Sequence, residues 1–220
     1  MTFRSYFKKL LERFWIQWRY VRLRNRDFTL FSNDCIGGVI THNVGVPFNS
    51  PTVNLFFESL SQYMSFLENV PHYIGIPVEH LRDEKFEGLE KYYPVGVLRS
   101  PEHGDVVIHF MHYKDFDEAL DCWNRRGKRI NSHNAFAILH FHEWDDGFPK
   151  LLERFAQLPM KAKMVVTYPG IIPSDYNRGG YSVFIHPKVR KYIPGFLLHW
   201  KSRFMLRYID DFDYVSWLNG

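Results

Sequence analysis

Phe136-Ala137-Ile138-Leu139-His140-Phe141 decides the fold class, because this short apolar run sits between two helical stretches and reads as a buried strand. Upstream, Phe116, Ala119, Leu120 and Trp123 recur at helical spacing behind Asp115, a natural N-cap, and predict a helix ending near Lys128. Downstream, a helix is expected from about Phe148 to Leu158 and a strand at Met164-Val165-Val166-Thr167. A further apolar strand, Asp105-Val106-Val107-Ile108-His109-Phe110, precedes the first of these helices. Strand, helix, strand, helix, strand in series, joined by right-handed crossovers, gives parallel strands covered by helices. The expectation is an α/β fold: a single three-layer domain over residues 28–220 with a largely parallel or mixed sheet, preceded by an amphipathic helix within residues 1–27.

Toward the N-terminus, a strand at 28–32 opens into Ser32-Asn33-Asp34-Cys35-Ile36-Gly37-Gly38, read as a glycine-rich loop at a strand end, where α/β folds place binding groups. Ser50-Pro51 resembles an N-cap and first helical position, and Val53, Phe56, Phe57, Leu60, Tyr63, Met64 and Leu67 predict the buried face of a helix from Pro51 to about Asn69, closed by Pro71. A short strand is expected at Pro94–Leu98. Toward the C-terminus, Gly179-Gly180 suggests a hairpin or edge strand over Tyr181–Ile185, and residues 194–218 read as an aromatic-rich helix.

The net charge of +4 is uneven. Residues 1–27 hold Arg4, Lys8, Lys9, Arg13, Arg19, Arg22, Arg24 and Arg26 against Glu12 and Asp27, so the rest of the chain is slightly acidic. In the same segment Phe3, Phe7, Leu10, Leu11, Phe14, Trp15, Trp18 and Val21 form an aromatic stripe flanked by cations, the pattern of a helix lying on an anionic membrane surface or of a first helix with a solvated basic face. The charge does not continue into the body, which argues against nucleic acid as a partner. Cys35 and Cys122, with no CxxC pair, fit a reducing compartment. No cleavable leader or membrane-spanning run is recognisable, so the expected location is cytoplasmic, peripheral to the inner face of the cell membrane.

Several constellations could carry chemistry. Cys35 in a glycine-rich turn before a helix could be a nucleophile, and His42, His109 or His112 its base, against a purely structural thiol. If adjacent parallel strands brought His109 and His112 beside His140 and His142, with Glu143, Asp145 and Asp146 close by, a metal could be held there, although no recognised ligand spacing is present and no metal is assigned. Asp146, after a strand, could act in transfer chemistry or merely cap the next helix. Arg125 and Arg129, four apart on a helix end, and Asn131 in the following loop could bind an anionic donor, although a strictly parallel sheet would put them at the opposite edge from Cys35.

Ser32-Asn-x-Cys35-x-Gly-Gly38, Phe48-Asn-Ser-Pro-Thr52, Tyr93-Pro-Val-Gly96, Ile108-His-Phe-x-His-Tyr113 and the run from Trp123 to Asn131 together resemble a bacterial family of exopolysaccharide-biosynthesis proteins, across most of residues 28–168. Ile36 departs from the aromatic residue usual after the cysteine. The resemblance implies a process, assembly of capsular or other surface polysaccharide, and no established reaction. The leading expectation is a membrane-peripheral transferase acting on a lipid-linked or nascent glycan, with a glycan or nucleotide sugar as substrate. His109, His112 or Asp146 would be the base. Ser32, Asn33, Gly37, Gly38, Asn49, Ser50 and Thr52 would form the pocket floor, and Arg125, Arg129 and Asn131 the anion site. The alternatives are an acyl-transfer enzyme or hydrolase that uses Cys35, and a non-catalytic glycan-binding or assembly component. No cofactor and no oligomeric state follow from the sequence.

Overall fold

The computed structural model describes residues 3–82, 86, 92–174, 176, 179–186, 195–200 and 206–220, with side chains from residue 6 onward. Its strands are β1 (Thr29–Ser32), β2 (Phe56–Phe57), β3 (Val78–His80), β4 (Val95–Leu98), β5 (Val106–His109), β6 (Ala135–His140), β7 (Ala162–Thr167) and β8 (Ser182–Ile185). Its helices are α1 (Phe3–Arg22), α2 (Ile36–Asn43), α3 (Leu60–Glu68), α4 (Val70–Gly75), α5 (Phe116–Gly127), α6 (Phe148–Gln157) and α7 (Tyr214–Asn219).

The α/β class, the parallel sheet and the N-terminal helix are as expected. β1, β6, β7 and β8 pair in that order, all parallel, with helices on both sides. Leu30, Phe136, Ile138, Met164 and Val166 face Leu23, α2 and α7, while Phe31, Ala137, Leu139 and Val165 face α3, α6 and a second sheet. Burial on both faces is why these strands read as unbroken apolar runs rather than as alternating ones. β8 is the edge strand foreseen at Tyr181–Ile185, and it is parallel rather than part of a hairpin.

The expected strands at 94–98 and 105–110 exist, but they do not join the parallel sheet. They form a separate antiparallel sheet in the order β2-β5-β4-β3. The connection from Leu98 to Val106 is too short for a crossover, so it closes as a hairpin, with Gly104 at φ +83° donating its N–H to Ser100 O at 2.8 Å.

Residues 49–57 are the seam between the sheets, not the first turns of a helix. Thr29 Oγ1 donates to Asn49 O at 3.2 Å, Ser32 N–H to Thr52 Oγ1 at 3.1 Å, and Phe57 N–H to Asn33 O at 3.4 Å, so the segment seals the open edge of β1 before joining β5. Asn54 takes a left-handed φ of 65°, which breaks any helix there. The helix starts only at Leu60, capped by Ser59, which accepts from Gln62 N–H at 3.2 Å. Pro71 sits in the first turn of α4 rather than ending a helix.

Two other expectations change. Gly37 and Gly38 lie in the first turn of α2, not in a loop; a Cβ on Gly37 would stand 2.8 Å from Ser32 Cβ, so the glycine lets this helix start close against its own strand. The C-terminal stretch is not one helix. It holds short 3-10 turns at Phe196–Leu198 and Tyr208–Asp211 before α7, and residues 201–205 lie outside the described residues.

Gly96, in the middle of β4, is another close approach: a Cβ there would lie 2.6 Å from Val78 Cγ1 and 2.9 Å from Phe110 Cε2. Gly96→Ala is expected to lower unfolding stability by about 1–3 kcal/mol through overpacking. Gly75→Ala, with nothing within 4 Å of the added carbon, should leave stability unchanged or raise it by up to about 1 kcal/mol. Urea midpoints of the two variants test this contrast.

Candidate active site

At the carboxyl edge of the parallel sheet, β1 runs into Asn33, Asp34 and Cys35, β6 ends at His140, and β7 leads into Tyr168. These residues line a cavity of about 530 Å³, closed on other sides by Phe56–Leu60, Phe141–Glu143, Phe148 and the 3-10 turn at Phe196–Leu198. This is the strand end where open α/β sheets bind ligands.

The side chains there form one connected array. Asn33 accepts the His140 N–H at 2.8 Å and donates to His140 O at 2.9 Å, extending the β1–β6 pairing beyond its last backbone rung. This sets Asp34 opposite the His140 ring. Asp34 Oδ1 accepts from Ile36 N–H at 2.9 Å, capping α2, and from Ser32 Oγ at 3.1 Å, while Oδ2 lies 2.5 Å from His140 Nδ1. On the other side of the ring, His140 Nε2 is 3.2 Å from the Tyr168 hydroxyl.

The electrostatics favour an ionised Asp34. Burial alone would raise its pKa, but attraction to His140 and the hydrogen bonds from His140, Ile36 and Ser32 together hold it below the usual carboxylate value. An ionised carboxylate only accepts, so Nδ1 carries a proton; in the neutral ring Nε2 would then be the acceptor, facing the Tyr168 hydroxyl. That is the arrangement of an oriented general base. Beneath it, burial and then the Asp34 charge hold the Tyr63 phenol well above its ordinary pKa; it donates to Ile138 O at 3.0 Å.

Cys35 lines the cavity at the N-cap of α2, but burial and then the Asp34 charge push its thiol up to about 12. The thiolate a nucleophile requires is therefore disfavoured at neutral pH.

The other expected site residues are dispersed. His109 is buried in β5, stacked on Phe56 with centroids 4.2 Å apart and 2.6 Å from Glu58, so it stands behind a cavity wall that Glu58 itself lines. His112 and Asp146 are exposed and line no part of the cavity, and the turn before α6 is closed by Asp145, which accepts from Gly147 N–H at 2.7 Å. His109 and His112 belong to the antiparallel sheet and its exit, so they do not come beside His140 and His142 as parallel neighbours would. His142 has a lowered pKa, from burial and secondarily from His140, opposed by Glu143.

Ser32 and Asn33 belong to the array, whereas Gly37 and Gly38 serve packing. Asn49, Ser50 and Thr52 are spent on the edge of β1, with Ser50 Oγ 2.9 Å from Thr52 Oγ1. Asn131 is bonded to Thr29 and Asp27 at the amino edge of the sheet, and the exposed Arg125 and Arg129 precede it. Because β1 and β6 are parallel, that edge lies the length of β6, about 20 Å, from Cys35. The three do not share the cavity.

Asp34 and Tyr168 are site residues that sequence reasoning gave no role, and His140 was weighed only as a metal ligand. The available signal was an acid two residues past one strand and a histidine ending the next.

Replacing Asp34 with Asn keeps an acceptor for the α2 cap but removes the charge facing His140. Wild type should exceed this variant in stability by about 1–3 kcal/mol near neutral pH. A carboxylate with a lowered folded pKa contributes stability above its unfolded value, about 3.9, and loses it as the pH falls through the folded value. The gap between the two urea midpoints should therefore be full above about pH 5 and shrink on acidification below about pH 4.

The family model described as Domain of unknown function (DUF1919) matches residues 6–219. A protein of Haemophilus influenzae named Uncharacterized protein is 32% identical to this chain over 201 residues, which cover 90% of this chain and 87% of that relative. The match takes in α1 from Tyr6 onward, both sheets and every residue of the array, and the chain belongs to the DUF1919 family.

Proposed function

We propose that this chain is a transferase that moves a group onto a hydroxyl, with His140 as general base, in the assembly of surface polysaccharide at the inner membrane face. The observation that carries the reading is the Asp34–His140 pair at a cavity large enough for a sugar-sized acceptor. An acceptor hydroxyl would take the place of the Tyr168 hydroxyl at Nε2 and give up its proton there as its oxygen bonds to the transferred group, whose bond to the donor's leaving group breaks with the electron pair departing on that leaving group. Asp34 would hold the ring and balance the imidazolium that forms. Phe56, Phe148 and Phe196 provide apolar walls against which a sugar ring or lipid segment can lie. Asp34, Glu58, Glu143 and Asp145 line the cavity and, among the described residues, no lysine or arginine does. A phosphate-bearing donor would therefore enter with its charge neutralised by a divalent cation, and a neutral acceptor would enter freely. The process itself comes from the resemblance across residues 28–168.

The membrane side of the proposal rests on α1, which has two apolar faces. Trp15, Ile16, Arg19 and Leu23 turn toward the body, where a buried ion pair joins Arg19 to Asp210 at 3.1 Å. On the opposite side Tyr6, Phe7, Leu10, Phe14, Trp18 and Val21 are 44% to 68% exposed. A helix that only covered its own domain would turn polar residues outward. Exposed Arg13 flanks this apolar strip, suited to an anionic headgroup while the aromatics enter the acyl boundary, and on the other flank Arg22 is paired with Asp213 at 3.2 Å. Among the described residues, no helix is long and apolar enough to cross a membrane, so contact would be along the surface.

Two experiments test the reading. In a thermal-shift screen with nucleotide sugars, with and without Mn²⁺, and with neutral oligosaccharides, a donor should stabilise the protein. His140→Gln should keep that binding but lose transfer by about 10²–10⁴-fold in a radiolabelled-sugar assay with the identified donor. Full activity in His140→Gln, or stabilisation by oligosaccharide alone with no donor effect, overturns it. In vesicle co-sedimentation, the chain should bind phosphatidylglycerol-containing vesicles far better than pure phosphatidylcholine, and the Phe14→Ser, Trp18→Ser double variant should lose at least about tenfold in partitioning. Unchanged partitioning, or concentration-dependent dimerisation that the same variant abolishes, would reassign the strip.

A further inference from the structure

The hairpin turn between β4 and β5 lies at the opposite end of the antiparallel sheet from the cavity, because β5 runs from the turn to His109 at the cavity wall. The turn is firmly built. Ser100 N–H donates to Asp105 Oδ1 at 3.0 Å, and Arg99 pairs with Asp105 at 2.6 Å. α4 is fixed against it by buried groups: the Tyr73 hydroxyl is 2.7 Å from Gly104 O and 3.1 Å from His103 O. Ser100 Oγ, also buried, lies 2.9 Å from His72 Nε2 and accepts the His103 N–H at 3.1 Å. The result is a convergence of donors from two elements. One ligand atom each of His72, Glu102 and His103 lie within 4.8 Å of one another, with the two imidazole rings 4.8 Å apart at 82°.

We infer that His72, Glu102 and His103 form a binding site for a divalent cation of the zinc class. Two imidazoles and one carboxylate are a donor set that zinc accepts, with a fourth position left to water. Calcium or magnesium would require more oxygen ligands than the three residues supply. Bonds of about 2.1 Å place tetrahedral donors about 3.4 Å apart. Closing to that spacing takes a rotation of Glu102, whose side chain is 78% exposed, while Tyr73 and Ser100 already hold the histidine-bearing backbones. Ser100 acts here as a positioning residue, contacting one ligand ring and the main chain of the other. A cation bound at this point ties α4 to the β4–β5 turn. It is remote from the Asp34–His140 pair, so its role is to staple this end of the antiparallel sheet.

The test uses the full chain after chelator treatment, titrated with Zn²⁺ by calorimetry and by thermal unfolding, and with Co²⁺ by visible absorption. Wild type is expected to bind one equivalent through these residues, with Tm rising by roughly 5–10 °C at a free concentration about a hundred times Kd, and to show intense d–d bands of a four-coordinate Co²⁺ centre. His103→Ala and Glu102→Gln, both changes in an exposed turn, should weaken Zn²⁺ binding by at least about tenfold, whereas His140→Ala should leave it intact. Absence of binding by wild type at sub-millimolar zinc, binding unchanged in both turn variants, or binding lost in His140→Ala would overturn the assignment. Because the readout is metal binding and not transfer, its failure leaves the reading of the cavity untouched, and the reverse also holds.

Discussion

Asn33 makes two hydrogen bonds to the main chain of His140, and both the fold and the candidate chemistry depend on them. Parallel pairing of β1 with β6 ends at Ser32 opposite Ile138, where the two chains would ordinarily diverge into their own loops. A side-chain amide offers a donor and an acceptor at nearly backbone spacing, so Asn33 continues the ladder after the backbone of β1 has turned away. The turn can then place Asp34 so that one oxygen caps α2 and the other meets the His140 ring. A single carboxylate thereby starts a helix and orients the His140 ring. The same packing explains the glycine after it: Gly37 lets α2 begin directly above Ser32, and a larger residue would press on the strand that carries the array.

The second constraint is the seam at residues 49–57. An edge strand with free N–H and C=O groups needs a cover, and here Thr29, Ser32 and Asn33 spend hydrogen bonds on a segment that is not itself a sheet strand until Phe56. This uses up Asn49, Ser50 and Thr52, which is why polar residues that resembled a pocket floor are structural groups, with Ser50 and Thr52 buried. It also brings Phe56, Phe57 and Glu58 to the cavity wall, joining the antiparallel sheet to the carboxyl edge of the parallel one.

The legible parts of the fold were those in which local pattern and tertiary environment agree. β6 and β7 are continuous apolar runs because both faces are covered, and α5 begins at Asp115 because that side chain accepts from Glu118 N–H at 2.9 Å. α3 was misplaced because Val53, Phe56, Phe57 and Leu60 satisfy a helical period equally well, and only the pairing of Phe56 with His109 selects extended chain. The separation into two sheets could be inferred only from the short β4–β5 connection, a length argument rather than a pattern. At the site, the sequence pointed to the strand end that carries the cavity and to Ser32, Asn33 and Cys35 there, while His109, His112, Asp146, Arg125, Arg129 and Asn131 do not line it. Cys35 drew attention for its chemistry, yet burial, and then the charge of Asp34, disfavours its thiolate, while the same carboxylate is paired with the His140 ring. Tyr168 carries no local signature, since its place depends on β7 lying next to β6.

The charge distribution completes the argument about what the cavity accepts. Asp34 is held ionised by its partners, and its field, added to burial, keeps both Cys35 and Tyr63 protonated. Around His140 there is thus one fixed negative charge backed by two protonated side chains, with Glu58, Glu143 and Asp145 also lining the cavity. Such a field disfavours a bare anion in the same space. Two buried arginines are held elsewhere: Arg19 is locked in a pair with Asp210, and Arg126 is spent on Val53 O and the Tyr113 hydroxyl. Loss of Arg19 would leave Asp210 buried beside a Tyr214 phenol whose pKa is already raised by burial and by that same carboxylate, so the pair fixes α1 against the body. With Arg19 holding the inner face, the aromatic strip of α1 is turned outward. The exposed strip of α1 and the acidic cavity are therefore separate surfaces, which the proposed reading assigns to anionic lipid and to a neutral acceptor hydroxyl.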